Sequence, residues 1–445
     1  MKKYILVYFV MFCASYCKAG ADVYEIQWAD TIDNGAHDRA WGVAIDSCGN
    51  IIVTGLSYVQ KTGCYFTVKY DSLGNILWTD TVRVAGGEAR DVAIDRKENI
   101  VITGGNWVTL KYNSGGNILW IDTLDTISGA AWCVAVDSSG NIIVTGDYYI
   151  IKYNSTGNMV WVKPCNTSFR GVAVDRYSNI VAAGLYNMYG NVYAIRTTKY
   201  DSSGVIVWSD TIHIGYSRWA YDVAVDQEGN IVIVGSFRVT EFSWPVGYYV
   251  VKYDSSGNII WVDTLNIGYG GVAVGVAIDM YGNIIVTGEV YINAQYDMDI
   301  YTVKYNSMGS ILWADTIDIW GEDLGGGVAI GQDGSIVVAG SFIVPNTTNY
   351  DWYVVKYIPV SGVEEHFVNC GASLTKSIEI YPNPFITYTT IKETGISRDN
   401  PLLVSDLTGR IVEEIRGTEF GKKLSPGVYF IRAEGCKPVK AVKLR

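Results

Sequence analysis

The sequence predicts an all-β fold: a seven-bladed β-propeller with four-stranded blades, followed by a small C-terminal β-sandwich. Three features that recur along the 445 residues predict it. A stretch like Val43–Gly55 begins seven times with Val-Ala, a Lys-Tyr pair follows each copy, and a Trp recurs in each period. The Trp spacings run from 41 to 53 residues, which is the period of a propeller blade. The seven copies begin at Val43, Val92, Val134, Val172, Val223, Val276 and Val328.

Each period contains four segments, a to d, whose apolar residues alternate with step two, as expected for half-buried strands. In the first repeat these segments are 42–46, 50–55, 65–70 and 75–81. An Asp-Ser-x-Gly-Asn sequence separates a from b and c from d. Asp and Asn bond their own backbone and Gly accepts positive φ, so both sequences predict tight hairpins.

The small and large residues of each period indicate which strand is innermost. Ala occupies the centre of strand a in all seven copies, which leaves room for seven strands to converge on an axis. The Trp of strand d suits the opposite end, where blades splay apart and a bulky side chain fills the gap. The order from a inside to d outside is taken from known propellers.

The two ends of the array complement each other. The first element, around Trp28, is a d strand with no a, b or c before it, and the last, Val355–Tyr357, is a c strand with no Trp-containing d strand after it. We expect the N-terminal strand to complete the last blade, because this closes the ring and removes two open edges.

The sequence divides into four predicted segments. Residues 1–21 predict a signal peptide, with Lys2-Lys3, an apolar run and a small-x-small end at Ala19–Ala21. Residues 22–357 are the predicted propeller, 358–375 a linker and 376–445 the C-terminal β-sandwich. No other apolar run is long enough to span a bilayer, so no transmembrane segment is expected after signal removal.

Charge and cysteine usage narrow the function classes. The formal net charge is −11, which disfavours nucleic acid as a partner. No Cys-x-x-Cys or His-x-x-x-His spacing occurs, so no metal site and no cofactor are expected. Six cysteines follow the leader, and Cys48–Cys64 and Cys370–Cys436 are candidate disulfides whose connectivity the sequence leaves open.

The last 70 or so residues carry four ordered blocks. They are Ile378–Phe385 with Tyr-Pro-Asn-Pro, Leu403–Val412 with Asp-x-x-Gly-Arg, Leu424–Arg432 with Gly-Val-Tyr-Phe, and Lys440–Arg445. These blocks resemble the C-terminal sorting domain of type IX secretion cargo in Gram-negative bacteria. The resemblance implies a β-sandwich read by the secretion machinery, and the motif residues are Tyr381, Pro382, Asn383, Pro384, Asp406, Gly409, Arg410, Gly427 and Tyr429.

The repeats resemble the seven-bladed propeller (SBBP-type) repeats of exported bacterial proteins, a family with no common activity. Together the two resemblances imply a protein that passes through the periplasm and is secreted or held on the outer cell surface.

One face of the predicted ring is better suited to binding than the other. The a–b and c–d turns share a face and are short and alike, whereas the b–c and d–a connections share the opposite face and vary in length. Binding residues concentrate on variable loops carried by a rigid scaffold. The ligand-binding candidates on that variable face are Trp107, Trp132, Trp219, Trp244, Trp320 and Trp352.

No reactive constellation stands out, so no catalytic residue is predicted. The Lys of each Lys-Tyr pair recurs with an Asp in six of seven d strands, which indicates either ion pairs that build the blades or Lys stems packed on Trp. We expect a monomeric, non-enzymatic binding propeller for an unknown glycan or protein ligand. The alternative is a carbohydrate-active hydrolase or lyase with carboxylates at the channel mouth, drawn from Glu88, Asp91, Asp222, Glu322 and Asp323.

Overall fold

The computed structural model describes residues 22–360 apart from 36, 60–61, 85–86, 125, 190–191, 213–217, 238–246, 266–269, 292–297, 320 and 346, together with seven strands after residue 376. The chain divides into two compact units, one ending at Ser361 and the other containing Gly362–Arg445. Among the described residues, no helix has the length and apolar character needed to cross a membrane.

The first unit consists of antiparallel sheets whose strands follow the repeats. The first two repeats form β2 (Arg39–Ile45), β3 (Ile51–Val59), β4 (Thr62–Tyr70) and β5 (Ile76–Val82), then β6 (Ala89–Ile94), β7 (Ile100–Gly104), β8 (Val108–Tyr112) and β9 (Ile118–Thr123). The next two form β10 (Ala131–Val136), β11 (Ile142–Tyr153), β12 (Met159–Val174), β13 (Ile180–Tyr189), β14 (Val192–Tyr200) and β15 (Ile206–Ile212).

The last three repeats form three four-stranded sheets. Their strands are β16 (Arg218–Val225), β17 (Ile231–Phe237), β18 (Gly247–Tyr253) and β19 (Ile259–Leu265); β20 (Gly270–Ile278), β21 (Ile284–Tyr291), β22 (Met298–Tyr305) and β23 (Ile311–Ile317); and β24 (Asp323–Ile330), β25 (Ile336–Ile343), β26 (Tyr350–Pro359) and β1 (Tyr24–Ile32). A 3₁₀ turn at Gly105–Trp107 joins β7 to β8.

These sheets close into a ring, as the repeats predict. Each strand a contacts the strand a of the next repeat, and the last contacts the first; in order the strands are β2, β6, β10, β12, β16, β20 and β24. The centres of the strands b and c are fully buried, as Ile52, Val53 and Val68 illustrate. The apolar core therefore lies between neighbouring sheets, and strands a surround the axis.

The number of separate blades differs from the expectation. Six sheets surround the axis in the described part of the chain, because the third and fourth repeats share one six-stranded sheet. The expectation of seven separate blades is wrong on this count. The b–c connection of the third repeat and the d–a connection that follows it are so short that β11 and β12 run through them, and Asp147 pairs with Ser168 across the join.

The closure of the ring by the N-terminal strand is confirmed. Strand β1 pairs antiparallel with β26, from Tyr24 opposite Pro359 to Ile32 opposite Trp352. This pairing gives the last sheet its outer strand. The Nε1 of Trp28 also donates to the carbonyl of Ser72 in the first repeat at 3.2 Å, so β1 bridges the last repeat to the first.

The second unit contains two antiparallel sheets. One contains β27 (Ser377–Tyr381), β28 (Thr389–Thr394) and β31 (Glu419–Phe420). The other contains β29 (Leu402–Ser405), β30 (Ile411–Ile415), β32 (Gly427–Arg432) and β33 (Val439–Lys443). Tyr381, Gly427 and Tyr429 of the sorting motif lie on these strands, and Pro382, Asn383, Pro384, Asp406, Gly409 and Arg410 lie outside the described residues.

The Lys of the Lys-Tyr pair has a different partner from the one expected. In the second repeat, Lys111 pairs with Asp95 of the a–b turn at 2.8 Å, not with the Asp of strand d. The Asp of strand d instead accepts a hydrogen bond from the Tyr of the next repeat, as Asp80 does from Tyr112 at 2.9 Å. The Lys side chain of strand c extends toward the a–b turn, so its Nζ reaches the Asp of that turn and not the Asp of strand d.

The same Lys also links each repeat to the next one, except in the sixth repeat. Its Nζ donates to the carbonyl of a Ser in the c–d turn of the following repeat, and Lys356 donates to Ser72 and so continues the series around the ring. The other pairs are Lys69–Ser114, Lys111–Ser155, Lys152–Ser202, Lys199–Ser255 and Lys252–Ser307. Lys304 is the exception and bonds Asp22 and Tyr24.

The candidate disulfide between Cys48 and Cys64 is not formed, since both cysteines are free. Cys48 is exposed in an a–b turn, whereas Cys64 is buried near the start of strand c, at the opposite end of the same sheet. Strand length therefore separates the two thiols. Cys370 and Cys436 lie outside the described residues.

Candidate ligand site at the ring mouth

A β-bulge interrupts the start of every strand a. In the first repeat Ala40 pairs with Gly55 and Gly42 with Thr54, which leaves Trp41 as the extra residue. A bulge re-aims the side chain of its extra residue. The residues at this position, which we call the bulge row, are Trp41, Arg90, Trp132, Arg170, Tyr221, Val274 and Gly326.

The bulge row lies at the d–a end of the inner strands, away from the a–b and c–d turns. We call this opening, formed by the bulge row and Trp219, the ring mouth. In contrast to the turns, the row has a different residue in almost every repeat. Its middle part, from the second repeat to the fifth, alternates arginine with aromatic residues.

Arginine and aromatic side chains of the ring mouth stack on one another between successive repeats. The guanidinium carbon of Arg90 lies 3.5 Å from the ring centroid of Trp132, and that of Arg170 lies 4.1 Å from the same ring. Arg170 also lies 4.3 Å from Trp219 and 5.3 Å from Tyr221. Cation–π contacts of this kind are worth about 0.5–2 kcal/mol each, depending on desolvation.

Two carboxylates bind side chains of this stack. Asp147 accepts from Trp132 Nε1 at 3.0 Å and from Ser168 Oγ at 2.8 Å, so it holds the indole in place. Glu88 forms an ion pair with Arg90. Burial lowers the pKa of Arg90 and of Arg170, because the surroundings desolvate both guanidinium groups.

Two half-buried carboxylates lie one residue beyond the bulge row, on the same inner strands. Asp91 accepts from the backbone N–H of Val134 on the neighbouring inner strand at 2.8 Å, and Asp222 accepts from Val276 in the same way at 2.9 Å. Cys133 donates to Asp91 as well. Burial raises the pKa of Asp91 to about 6, and burial together with the charge of Asp91 raises that of Asp222 to about 7.

The six candidate tryptophans fall into three groups. Trp132 and Trp219 are half-buried and belong to the ring mouth. Trp107 and Trp352 are 1% and 0% exposed, which leaves their rings no surface for a ligand, so the structure does not support these two candidates. Trp107 packs against Gly146 and Trp352 against Phe66. Trp244 and Trp320 lie outside the described residues.

The carboxylates named for the alternative, enzymatic function are engaged in structural contacts. Asp91 and Asp222 hold neighbouring inner strands, and Asp323 accepts from the N–H of Ile319. Glu88 pairs with Arg90 and Glu322 accepts from the hydroxyl of Tyr350.

Two groups of aspartates could hold a metal ion, although no metal site was expected. They occupy similar places, with one aspartate just after a strand d, one immediately before or at the start of the next strand a, and one on strand c. The groups are Asp33, Asp38 and Asp351, and Asp318, Asp323 and Asp299. Burial and the charges of Asp33 and Asp38 raise the pKa of Asp351 to about 7. Protonation of Asp351 therefore reduces the repulsion within the first group.

Comparisons with known proteins agree with the fold. No family model matches the chain. Over 185 residues it is 27% identical to an uncharacterized WD repeat-containing protein, L264, of Acanthamoeba polyphaga mimivirus, with 30% of this chain and 13% of that protein covered. The chain therefore spans a small part of the length of this relative.

Two solved structures are similar in fold at 10% sequence identity. Raptor from Chaetomium thermophilum matches with a TM-score of 0.55 over 76% of this chain and 30% of that chain. A streptogramin B lyase matches with a TM-score of 0.52 over 75% of this chain and 98% of that chain. At this identity the likeness establishes the β-propeller fold alone.

Proposed function

We propose that the protein is a non-enzymatic binding propeller whose ligand site is the ring mouth. The observation that carries this proposal is the stack Arg90–Trp132–Arg170–Trp219, which joins four side chains from four repeats. A feature needed to build blades recurs in every repeat, and this stack does not. Tryptophan and arginine are also the residues most enriched in binding hot spots.

We also propose that the six-stranded sheet counts as two blade units, which gives seven in all. The support is that β12 pairs through Met159–Pro164 with the third repeat and through Thr167–Val174 with the fourth. The ring also has seven inner strands, each with a bulge, which agrees with seven blade units. In this respect the repeats resemble those of SBBP-type exported propellers.

We propose further that the protein is exported from a Gram-negative cell and secreted or displayed on its surface. The support is the leader-like sequence of residues 1–21 and the resemblance of residues 376–445 to a type IX sorting domain. Truncation after Gly362 in the native host should leave the protein in the periplasm, as measured by cell fractionation. Normal display of the truncated protein would refute the sorting role.

The binding proposal is tested by screening the full chain against peptide and glycan libraries and mapping each ligand with paired substitutions. Trp219→Ala removes an aromatic ring of the mouth, and Tyr177→Ala removes an exposed ring from an a–b turn of the neighbouring repeat. We expect Trp219→Ala to weaken binding about tenfold, since an aromatic anchor contributes roughly 1–3 kcal/mol. Tyr177→Ala should leave the affinity unchanged.

A ligand whose affinity falls with Tyr177→Ala and not with Trp219→Ala would contradict the assignment of the site. The alternative hydrolase or lyase is not proposed, because the carboxylates named for it are bound to inner-strand backbone, to Arg90 or to Tyr350.

A further inference from the structure

Arg170 carries a positive charge that no carboxylate of the described chain contacts. Its contacts are the cation–π stacks on Trp132, Trp219 and Tyr221. By contrast, Arg90 forms an ion pair with Glu88 and Arg196 donates to Asn166 at 2.9 Å. A half-buried guanidinium without an anionic partner costs stability unless something else compensates for it.

The stacking leaves only one part of this guanidinium available. The guanidinium carbon lies 4.1 and 4.3 Å from the ring centroids of Trp132 and Trp219, so these two rings cover part of the group. The Nε is enclosed and has no hydrogen-bond partner, whereas Nη1 and Nη2 are not enclosed and make no hydrogen bond to the described protein. The group therefore presents its outer edge, which is the edge that a carboxylate binds with two parallel hydrogen bonds.

The carboxylates near Arg170 are already engaged. Asp147 holds Trp132, Ser168 and the N–H of Ala130, and it makes no ion pair with Arg170. Glu88 is paired with Arg90. The charge of Asp147 acts on Arg170 without a direct contact, so the guanidinium offers an anionic ligand hydrogen-bond donors that are unpaired among the described residues.

The same geometry selects among anionic ligands. Stacking of a sugar ring or a nucleobase needs an open aromatic surface, and Trp132 lies between two guanidiniums. The side chain of an acidic peptide needs only an end-on approach to the edge of Arg170. Resting on the proposed binding role of the ring mouth, we infer that Arg170 binds a carboxylate of an acidic peptide segment.

The experiment measures binding of a fluorescent hexaglutamate peptide to the full chain by anisotropy, with hexaglutamine as the neutral probe. We expect hexaglutamate to bind and hexaglutamine not to bind, and the affinity to fall as salt rises from about 0.05 to about 0.5 M. Arg170→Gln should weaken hexaglutamate binding tenfold or more. Arg170→Lys should weaken it less, because the charge remains but the two-pronged geometry is lost.

Arg176→Gln is the matched control. Arg176 lies in the a–b turn of the same repeat and stacks on Tyr177, so this substitution also removes a stacked arginine. Hexaglutamate affinity should not change. Equal losses in Arg170→Gln and Arg176→Gln would overturn the inference, and so would tighter binding of oligogalacturonate than of hexaglutamate.

A second variant keeps the inference testable if Arg170→Gln does not fold. Glu88→Gln removes a negative charge from the mouth and releases Arg90, so hexaglutamate should bind several-fold more tightly. Unchanged affinity in Glu88→Gln would overturn the inference. A neutral library ligand that Trp219→Ala weakens, found where hexaglutamate fails to bind, would overturn the acidic-peptide assignment and leave the binding function in place.

Discussion

The a–b turns and the ring mouth lie at opposite ends of the same inner strands. The turns are similar in the seven repeats, whereas the residues of the mouth vary. In the first six repeats, the Asp of the turn pairs with the buried Lys of strand c, at distances from 2.8 to 3.9 Å. At the mouth, the seven bulge positions hold five different residue types. The repeated end holds the ring together, whereas the varied end can recognise one ligand.

The largest expected effect of a point substitution is at the repeated end, at Lys111. Its side chain and that of Asp95 are 2% and 5% exposed, so Lys111→Met leaves the buried Asp95 carboxylate without its cation, although Asn99 and the N–H of Lys97 still donate to it, and leaves the Ser155 carbonyl without the Lys111 donor. Breaking a buried pair in this way costs about 3–5 kcal/mol. The free energy of unfolding in urea measures the loss.

Lys97→Met is the matched control for this substitution, because Lys97 is exposed in the same turn as Asp95. Its effect should stay within about 0.5 kcal/mol. Similar losses in the two variants would show that the buried pair is not what holds the turn.

The next largest effect is a pH dependence located near the mouth. The folded-state pKa of Asp222, about 7, lies above its ordinary value of 3.8, so folding favours the protonated form. This contribution is fully present below about pH 4 and is lost as the pH rises through 7. Asp222 should therefore contribute an increase in stability of roughly 2–3 kcal/mol from pH 8 to pH 5, to which the raised pKa values of Asp91 and Asp351 add.

Asp222→Asn should remove much of this increase, as measured by denaturation at a series of pH values. Asp254→Asn is the comparison, because Asp254 is an exposed turn residue whose pKa is lowered by hydrogen bonds from Asn258. Its substitution should leave the slope between pH 5 and pH 8 as it was. An unchanged slope in Asp222→Asn would assign the pH dependence to other groups.

A smaller effect separates two glycines of one c–d turn. Gly116 has a φ of +84°, and a Cβ there would lie 2.9 Å from the Trp78 ring, so Gly116→Ala should cost about 1–2 kcal/mol. Gly115 is one residue away, and a Cβ there meets nothing closer than 3.5 Å. Gly115→Ala should be nearly neutral in thermal melting. Equal costs would mean that the turn tolerates a side chain against the tryptophan.

The smallest expected effect belongs to the surface of the turns. Tyr177 is 67% exposed, so Tyr177→Ser should change the free energy of unfolding by less than about 0.5 kcal/mol. Its hexaglutamate affinity should equal that of the parent chain in the same anisotropy assay. A drop in affinity would place part of the ligand site at the turn end.

Local pattern was enough to predict the strands and the closure of the ring. The step-two alternation, the Asp-x-x-Gly-Asn turns and the isolated d strand around Trp28 are properties of neighbouring residues. The partner of each Lys was predicted wrongly, because every repeat offers one Asp in the a–b turn and usually another in strand d. Only the direction in which strand c projects its side chains decides between them.

The burial of Trp107 and Trp352 could have been read from the sequence. Both lie four residues before the Lys of a Lys-Tyr pair, and the same position holds Tyr65, Ile195, Tyr248 and Ile300 in other repeats. All of these are buried. In the third repeat the same position holds Tyr148, which is 58% exposed. A position that carries a large apolar or aromatic side chain in all seven repeats and is buried in six of them belongs to the core, so these two tryptophans are not irregular loop residues.

The bulge row also has a sequence signal, two residues before each Val-Ala. Alignment of the repeats at Val43, Val92 and Val134 already shows Trp41, Arg90 and Trp132 in one column. The alternation of charge and ring in that column suggests contact between neighbours. The bulge that turns these side chains toward one another depends on strand register, which composition does not reveal.

The pairing of β1 with β26 sets an order of events in time. Tyr24 and Pro359, which pair at one end of this contact, are 335 residues apart in the chain. At about 5–20 residues per second, synthesis takes roughly 20 seconds to a minute to supply the partner strand. Meanwhile Trp28 already has its docking place, since Ser72 and Gly74 belong to the first repeat. Strand β1 can therefore pack against the first repeat until β26 is synthesised, and the pairing of β1 with β26 then completes the ring.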